Sequence, residues 1–347
     1  MNSLDSIRAI RWQDDRLILL DQRYLPQREE DFICKHLDDA IEAIRDMVVR
    51  GAPAIGITAA FAIVLAVREQ HARHGAEWRG FIDPDLQRLA LARPTAVNLV
   101  WAIEQMKSLF ATVDSNNPVA ALLQRARDIH QSDIDANRTM GELGADLIEN
   151  TQSVLTHCNT GSLATGGYGT ALGVIRSAYR AGRIQRVYAD ETRPWLQGSR
   201  LTAWELVKEK IPVSLIADSA AAHLMKQGDV GWLIVGADRI AANGDTANKI
   251  GTYSAAIAAH YHKVRVMVVA PTSTIDMNLE SGDLIPIETR DSSELLQFNH
   301  VPFAAKGSDG WNPVFDVTPA SLIDVIVTEK GIIQHPDTQK IKKLMSR

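Results

Sequence analysis

The chain contains little cysteine and has no excess of positive charge, and both absences limit what it can be. Its 347 residues include two cysteines, Cys34 and Cys158, which excludes a disulfide framework and fits a reducing compartment. The formal net charge of −5 differs from the basic balance typical of nucleic-acid-binding proteins. We therefore expect a globular protein without a nucleic-acid partner.

Segments that would direct the chain to a membrane are also lacking. The apolar run Phe61–Val67 is followed at once by Arg68 and Glu69, and is much shorter than the ~20 residues of a membrane-spanning helix. The first residues, Met1–Trp12, lack the apolar centre of a signal peptide. These features predict a cytoplasmic protein with no membrane contact.

Common cofactor and metal motifs are missing as well. The chain has neither a GxxxxGK[ST] phosphate loop nor a GxGxxG fingerprint, so ATP and NAD are poor candidates. No CxxC, HxxxH or carboxylate pair has the spacing of metal ligands, and the adjacent His157 and Cys158 would point to opposite sides of a strand. We expect no metal and no cofactor.

The amino-terminal part, residues 1–150, is predicted to be a mostly helical domain with a small sheet. A hairpin turn is expected at Asp14-Asp15, and Asp38 is placed to cap the first helix. The predicted elements are strands at Ile7–Trp12 and Arg16–Leu20, and helices at Ile41–Val48, Pro53–Glu69, Thr95–Phe110 and Val119–Asn150.

From Ser153 onward, short apolar runs alternate with helix-sized stretches, which indicates an α/β fold with a parallel sheet and right-handed crossovers. Residues 151–347 are therefore predicted to form a Rossmann-like domain, with the site at the interface of the two domains. The predicted strands lie at Val154-Leu155, Val187–Ala189, Val213–Ala217, Trp232–Val235 and Val264–Ala270.

Four of these strands end in a similar way, because Cys158, Asp190, Asp218 and Asp238 each come just after an apolar run. Ligands of parallel α/β proteins bind at the carboxyl ends of the strands, so these side chains indicate a site at that edge. The alternative is that each aspartate caps the helix that follows it.

Cys158 precedes a loop that could bind a phosphate. Gly161, Ser162 and Thr165 can present backbone N–H groups and a helix start to an anion, and such surroundings would lower the thiol pKa. The alternative is an inert buried cysteine. Nothing in the sequence marks one of the 10 histidines as its base.

Three further segments combine charged and amide side chains near predicted helix starts: Arg50–Gly56, Asp190–Arg200 and Asn248-Lys249. Their backbone N–H groups and cations suit an anionic ligand. Each is also compatible with an ordinary helix start or a solvated connection.

Together these segments resemble the methylthioribose-1-phosphate isomerase branch of the family that also includes the regulatory subunits of the eukaryotic initiation-factor guanine-nucleotide exchange complex. The likeness runs from about Ile7 to Gly331 and shows no departure at the site positions. The matching segments are Arg50–Gly56, His157–Gly161, Glu191–Pro194 with Gln197-Gly198, Gly236–Arg239 with Asn248–Thr252, and Asn312–Pro319.

The resemblance implies conversion of 5-methylthioribose 1-phosphate to 5-methylthioribulose 1-phosphate, a step of methionine salvage, by a homodimer. It implies that Asp238 is the proton donor and that Cys158 supports the transition state. The residues implied to hold the phosphosugar are Arg50, Gly51, Ala52, Arg93, Gln197, Asn248 and Lys249.

The chemistry agrees with these roles. A phosphate on C1 keeps the sugar ring closed, so an acid must assist ring opening before hydrogen moves from C2 to C1. Asp238 follows the apolar Trp232–Val235, and burial there would raise its pKa and keep it protonated. The hydrogen could move from C2 to C1 as a proton or as a hydride. Cys158 could act as a base if it is ionised, or position the substrate if it is neutral.

Three alternatives retain part of this interpretation. An isomerase of ribose 1,5-bisphosphate or 5-deoxyribose 1-phosphate would keep Cys158 and Asp238 and differ in the pocket at C5. A non-catalytic regulatory subunit would need only the anion-binding loops, so the presence of both side chains argues against it. A cysteine-dependent hydrolase would need a base histidine that no motif identifies.

Overall fold

The structure is a computed structural model that describes residues 4–94, 96–149, 153–298 and 301–346. Its chain forms two compact units. The N-terminal unit comprises Asp5–Asn137 and Gly161–Gly169, and the C-terminal unit comprises Arg138–Thr160 and Thr170–Arg347 with the residues up to Leu4. The domain boundary predicted at Asn150 lies outside the described residues.

The N-terminal unit is mostly helical and has one small antiparallel sheet, as the sequence predicts. Its elements are β1 (Ile10–Gln13), β2 (Arg16–Leu20), β3 (Asp31–Cys34), α1 (Leu37–Arg45), α2 (Ala52–His74), α3 (Asp83–Ala90), α4 (Val97–Lys107) and the first part of α5 (Pro118–Asp146). The strands pair in the order β1-β2-β3.

The predicted hairpin turn at Asp14 and Asp15 is confirmed. Gln13 at the end of β1 pairs with Arg16 at the start of β2, so these two aspartates form the turn. Their φ angles of +50° and +56° are those of a type I′ turn, which twists in the same sense as the strands that it joins.

Helix α1 begins earlier than predicted. Its N-cap residue is His36, so Asp38 is the second residue of the helix and not its cap. The Asp39 carboxylate accepts hydrogen bonds from the backbone N–H groups of Lys35 and His36, at 2.8 and 2.9 Å. The prediction was wrong because Asp39, the third residue of the helix, reaches back to the N–H of His36, as the acid of a capping box does, and so places the N-cap at His36.

Helix α2 forms the centre of the N-terminal unit, where all residues from Ala54 to Val67 are buried. By length and composition it could cross a membrane, which corrects the expectation that no apolar segment is long enough. However, 78% of its most apolar window is buried inside the protein. A helix that is apolar on all sides is also typical of a protein core.

The C-terminal unit alternates strands and helices. Its elements, after the end of α5, are β4 (Ser153–Thr156), α6 (Ala171–Arg180), β5 (Arg186–Asp190), α7 (Ala203–Lys208), β6 (Val213–Ile216), α8 (Ala221–Gln227), β7 (Val230–Val235), β8 (Arg239–Ala241), β9 (Thr246–Lys249), α9 (Thr252–His262), β10 (Arg265–Val269), β11 (Ile275–Asp276), α10 (Ser293–Leu296), β12 (Gln297–Phe298), β13 (Val301–Pro302), β14 (Phe315–Thr318), β15 (Val325–Thr328), β16 (Gly331–Gln334) and α11 (Thr338–Met345).

The main sheet of this unit has seven strands in the order β16-β15-β10-β7-β4-β5-β6. Its strands pair in parallel, except β16, which is antiparallel to β15. The five strands predicted from apolar runs (β4, β5, β6, β7 and β10) all lie in this sheet, which confirms the α/β class. A second sheet, in the order β11-β8-β9-β14, was not predicted.

Both faces of the main sheet are covered by apolar side chains. In β7, Leu233 and Val235 belong to one buried cluster, whereas Trp232 and Ile234 belong to another. Alternate residues of a strand point to opposite faces, so each face has its own core. Polar side chains of such a sheet can reach a ligand where the strands end.

Candidate active site

The carboxyl ends of four neighbouring parallel strands meet at one edge of the C-terminal unit. Thr156 at the end of β4 pairs with Ala189 of β5 on one side and with Ile234 of β7 on the other. Asp190, the last residue of β5, pairs with Ile216 at the end of β6. The predicted site residues that follow these strands are therefore delivered to the same edge.

Cys158 is a buried residue two positions beyond the end of β4, with 6% of its surface exposed, and it forms no disulfide. Its backbone is in the left-handed region, at φ +66°. The backbone N–H donates to Thr192 Oγ1 at 2.9 Å, and the carbonyl oxygen accepts from Thr202 Oγ1 at 2.5 Å.

His157 forms a buried pair with Asp190. Its Nδ1 lies 2.9 Å from Asp190 Oδ2, and its Nε2 lies 2.9 Å from the carbonyl oxygen of Ile250. A carbonyl oxygen only accepts hydrogen bonds, so Nε2 is protonated and a second proton lies between Nδ1 and Asp190. Burial opposes the charged ring, but the hydrogen bond and the charge of Asp190 outweigh it and raise the pKa of His157.

His157, Asp190 and Asp218 have potential metal-ligand atoms within 4.8 Å of one another. Apart from Asp190 Oδ1, the candidate ligand atoms of these three side chains already have protein partners. Both His157 nitrogens are hydrogen-bonded, and the two carboxylate oxygens of Asp218 accept the backbone N–H groups of Thr192 and Arg193 at 2.7 and 2.8 Å. The donor set fits a hydrogen-bonded network better than a metal site.

Asp238 is half-buried and lies three residues beyond the end of β7. Its backbone N–H donates to the carbonyl oxygen of Ala247 at 2.9 Å. Arg239 pairs with Ala247 across the β8–β9 hairpin, and continuing this antiparallel register by one residue sets Asp238 opposite Asn248. The second, unpredicted sheet thus brings two of the predicted site residues together.

Asn248 and Lys249 are both buried in β9. The Asn248 side-chain amide donates to Thr252 Oγ1 at 3.0 Å, at the start of α9. The Lys249 ammonium donates to the Val314 carbonyl oxygen at 2.8 Å and lies 4.3 Å from the centre of the Phe315 ring. These contacts hold the cation at the end of β9.

The N-terminus of α9 already has an anionic partner. The Asp316 carboxylate accepts the backbone N–H groups of Gly251 at 2.7 Å and Tyr253 at 3.1 Å. Burial raises the pKa of Asp316, and these two hydrogen bonds oppose that shift. A phosphate near Lys249 therefore needs other donors than the first N–H groups of this helix.

The loop after β5 contains Gln197, another predicted site residue, which is buried. Its Oε1, like Thr160 Oγ1 and Asp190 Oδ1, is buried without a hydrogen-bond partner among the described residues. Such atoms are uncommon in folded proteins, and their presence at the ends of neighbouring strands fits a polar ligand. The next residue must be glycine, since a Cβ on Gly198 would lie 1.6 Å from the Asp190 carbonyl oxygen.

The remaining predicted residues belong to the N-terminal unit. Gly51, at φ +95°, is the N-cap of α2, and Ala52 is the first residue of that helix. A Cβ on Gly51 would lie 2.6 Å from the carbonyl oxygen of Ala164, so the helix start and the loop after Cys158 touch within this unit. Arg50 precedes the N-cap and is half-buried, as is Arg93 between α3 and α4.

The segment Gly161–Gly169 is held by polar side chains of the N-terminal unit. The Gln22 amide donates to the Leu163 carbonyl oxygen at 2.7 Å, and His130 Nε2 lies 2.8 Å from the Gly166 carbonyl oxygen. The Asp133 carboxylate accepts the Gly166 N–H at 2.7 Å. Two of the anion-binding segments predicted from sequence, Arg50–Gly56 and the Gly/Ser/Thr run, are thus brought together.

Sequence reasoning missed several residues around Cys158. Thr192 was part of a loop noted for its charged residues, whereas nothing marked Thr202 at the start of α7. Arg176 and Glu205 are fully buried and paired at 2.8 Å, and Glu205 also accepts from the Asn159 amide at 2.9 Å. No local motif could reveal this pairing, because it joins residues that are 29 positions apart.

The fold and this edge define an α/β protein that places a buried thiol and several carboxylates at the carboxyl ends of its parallel strands. Relatives from Thioalkalivibrio sulfidiphilus and Pseudomonas syringae pv. syringae, both named methylthioribose-1-phosphate isomerase, are 60% identical to this chain. The first covers 99% of this chain and 98% of its own, the second 99% and 97%.

Solved structures also match this chain over nearly its whole length. The 5-methylthioribose 1-phosphate isomerase of Pyrococcus horikoshii is 40% identical, with a TM-score of 0.93 over 99% of this chain and 97% of its own. The translation initiation factor eIF-2B subunit delta of A. fulgidus is 39% identical, with a TM-score of 0.89 over 99% and 100%. The model of the initiation factor 2 subunit family matches residues 48–335, and the chain belongs to this family. The resemblance noted in the sequence is confirmed.

Proposed function

We propose that this protein is an aldose–ketose isomerase that converts 5-methylthioribose 1-phosphate to 5-methylthioribulose 1-phosphate in methionine salvage. The observation that supports this function most strongly is the match, over nearly the whole chain, to isomerases of this name at 60% identity. The thiol, the carboxylates and the unpartnered buried polar atoms at one sheet edge suit a small polar substrate.

In the proposed mechanism Asp238 gives a proton to the ring oxygen, which opens the sugar ring. Hydrogen then moves from C2 to C1 with the support of Cys158, and the C2 hydroxyl becomes the ketone and releases its proton, which balances the proton given by Asp238. The reaction is an internal oxidation and reduction, since C2 is oxidised as C1 is reduced. It therefore needs no external redox partner.

The phosphosugar is proposed to bind through residues from both predicted domains, 1–150 and 151–347. Arg50, Arg93 and Lys249 offer cationic donors for the phosphate, and the backbone of Gly51 and Ala52 at the start of α2 offers N–H groups. The amides of Gln197 and Asn248 suit the sugar hydroxyls. Binding by Gln197 would satisfy a buried oxygen that has no partner among the described residues.

Two further proposals concern the location of the protein in the cell and its oligomeric state. We infer that the protein acts in the cytoplasm, because its two cysteines are free thiols, which fits a reducing compartment. We also infer that it forms a homodimer, as the resemblance implies.

The test is turnover of 5-methylthioribose 1-phosphate by purified protein without added metal or nucleotide, with ribose 1,5-bisphosphate and 5-deoxyribose 1-phosphate measured in parallel. We expect ketose formation from the methylthio sugar, and losses in kcat of about a hundredfold or more in Cys158→Ser and Asp238→Asn. Two matched controls, Cys34→Ser in β3 and Asp229→Asn just before β7, should keep kcat near the wild-type value.

Each contrary outcome has a definite meaning. Preference for another sugar phosphate would retain the chemistry and change the substrate. No turnover by folded wild-type protein would favour a non-catalytic binding role, which the likeness to eIF-2B subunit delta also allows. Near-normal kcat in folded Asp238→Asn would exclude this residue as the proton donor.

A further inference from the structure

We propose that Thr192, Thr202 and Asp218 are positioning residues that fix the thiol of Cys158 for the reaction. The inference rests on the proposed function, because it concerns how a thiol that supports the transition state is held. Asp218 was noted in the sequence only as one of four residues that follow strands, and the proposed mechanism gives it no other role.

The backbone of Cys158 needs external support. Its φ of +66° lies in the left-handed region, which residues with a Cβ adopt at a cost. Conformations of this kind persist where surrounding contacts enforce them, and they are concentrated in active sites. The contacts of Cys158 should therefore show what enforces its left-handed backbone conformation.

Two threonine hydroxyls hold the peptide groups on either side of Cys158. The N–H, in the peptide before the residue, donates to Thr192 Oγ1 at 2.9 Å. The carbonyl oxygen, in the peptide after it, accepts from Thr202 Oγ1 at 2.5 Å. Because both flanking peptides are fixed, the direction in which the side chain leaves the backbone is fixed as well.

Thr192 is itself anchored. Its own φ is +62°, and its hydroxyl donates to the Asp190 carbonyl oxygen at 3.1 Å. Asp218 Oδ1 accepts the Thr192 N–H at 2.7 Å, and Oδ2 accepts the Arg193 N–H at 2.8 Å. The carboxylate after β6 thus holds the loop after β5, which in turn holds Cys158 after β4.

Thr202 is anchored from the other side. It is fully buried, and its Oγ1 accepts from Asn159 Nδ2 at 3.3 Å. The same amide nitrogen donates to Glu205 Oε1 at 2.9 Å, and Glu205 is paired with the fully buried Arg176. The hydroxyl consequently has a donor and an acceptor partner and is held in one orientation.

This arrangement makes a specific kinetic prediction. If the hydroxyls serve only to stabilise the loop, their removal lowers stability and leaves the turnover of the folded enzyme unchanged. If they position the thiol, their removal lowers kcat, since small displacements of a reacting group are costly. Substrate binding by Arg50, Lys249 and Gln197 would be less affected.

The experiment compares Thr202→Val, which keeps the side-chain shape but removes the hydroxyl, with Thr202→Ser, which keeps the hydroxyl. We expect Thr202→Val to lower kcat by about tenfold to hundredfold, with KM within about threefold of wild type. Thr202→Ser should recover most of kcat. Thr328→Val is the matched control, because Thr328 is also fully buried and its hydroxyl donates to a backbone carbonyl, that of Gly331.

A second measurement reports on the accessibility of the Cys158 thiol and does not depend on catalytic turnover. Iodoacetamide labelling, quantified on the separated peptides, compares Cys158 with Cys34, which is fully buried in β3 and serves as an internal reference. Release of the backbone in Thr202→Val should raise the labelling rate of Cys158 relative to Cys34. Thr202→Ser should restore the wild-type ratio.

The inference is overturned if folded Thr202→Val keeps kcat within about twofold of an active wild type. Should this variant not fold, Asp218→Asn applies the same criterion, because an amide cannot accept both N–H groups of the loop. An inactive wild type would instead contradict the proposed function, and an unchanged labelling ratio in Thr202→Val would then overturn the positioning role as well.

Discussion

At the scale of single residues, the buried polar atoms of the sheet edge differ in how they are satisfied. The oxygens of Asp218 and the nitrogens of His157 have partners within the protein, whereas Gln197 Oε1 has none among the described residues. A buried acceptor without a partner lowers stability, so a ligand that donates to it gains affinity. Gln197 is therefore the residue at which stability and substrate binding should respond differently.

We expect Gln197→Met to raise KM for the phosphosugar by about threefold to tenfold, the worth of one hydrogen bond. Its thermal midpoint should be unchanged or slightly higher, because methionine has a similar shape and no oxygen to leave unpaired. Steady-state kinetics and calorimetry measure the two effects. Gln227→Met on the exposed end of α8 is the control, and an unchanged KM in Gln197→Met would contradict the assignment.

The His157–Asp190 pair should make stability depend on pH. The pKa of His157 is raised above its usual 6.5 in the folded protein. A raised pKa contributes stability that is fully present below the unfolded value and is lost as the pH rises through the folded one. Burial also raises the pKa of Asp190, which acts in the same direction.

We therefore expect the stability of the wild type, relative to the double variant His157→Gln, Asp190→Asn, to be highest at low pH and to fall as the pH rises above the usual pKa values of Asp190, 3.8, and then of His157, 6.5. The difference should shrink as the pH is raised, because the variant keeps polar groups at both positions but cannot titrate there. Urea denaturation over a pH series measures this. A difference that grows with pH would show that the pair does not retain its protons on folding.

At the scale of elements, α6 and α7 are joined by a buried ionic cluster. Arg176 of α6 binds Glu205 at 2.8 Å and Glu209 at 2.5 Å, and all three side chains are inaccessible to solvent. Removing one member of such a cluster leaves an uncompensated buried charge, which costs far more than the cluster contributes. The packing of these helices should thus depend on the arginine.

We expect Arg176→Met to lower the free energy of unfolding by about 3–5 kcal/mol. Adding Glu205→Gln and Glu209→Gln should recover part of this loss, since the unpaired charges are then removed. Arg180→Met, one turn further along α6 and exposed, is the control. Chemical denaturation measures all of these variants, and a single variant as stable as the control would contradict the argument.

The elements also show what sequence could and could not predict. The buried strands β4, β5, β7 and β10 were predictable because parallel strands covered on both faces are continuously apolar. The β8–β9 hairpin was missed because Arg239–Ala241 and Thr246–Lys249 are short and contain polar residues. Asn248 and Lys249 were identified by resemblance to a family. That Asn248 lies opposite Asp238, and Lys249 opposite Phe315, depends on strand register, which a local sequence pattern does not encode.

At the scale of the whole molecule, each unit has its own apolar core, with α2 at the centre of one and the seven-stranded sheet in the other. The chain leaves the C-terminal unit after Thr160 and returns to it at Thr170. The segment between them is the Gly/Ser/Thr run that follows Cys158. The run that the sequence singled out therefore belongs to the N-terminal unit, whereas the residues on either side of it along the chain belong to the C-terminal unit.

The proposed homodimer is a prediction at this same scale. One chain has a mass of 38.2 kDa, so sedimentation equilibrium should give a particle of twice that mass. The measurement is made over a range of protein concentrations, because a dimer that dissociates shows a mass that falls on dilution. A mass of one chain at all concentrations would contradict the proposal and leave the catalytic prediction to be judged by turnover alone.

The position of Gly198 has a consequence for reading other sequences. Any side chain there would overlap with the Asp190 carbonyl oxygen, so a chain with another residue at this position must build the loop between β5 and α7 differently. A single alignment column therefore separates relatives whose loop can be inferred from this structure from those whose loop must be determined anew. For a family that contains both isomerases and initiation-factor subunits, such a column offers a first criterion for sorting distant members.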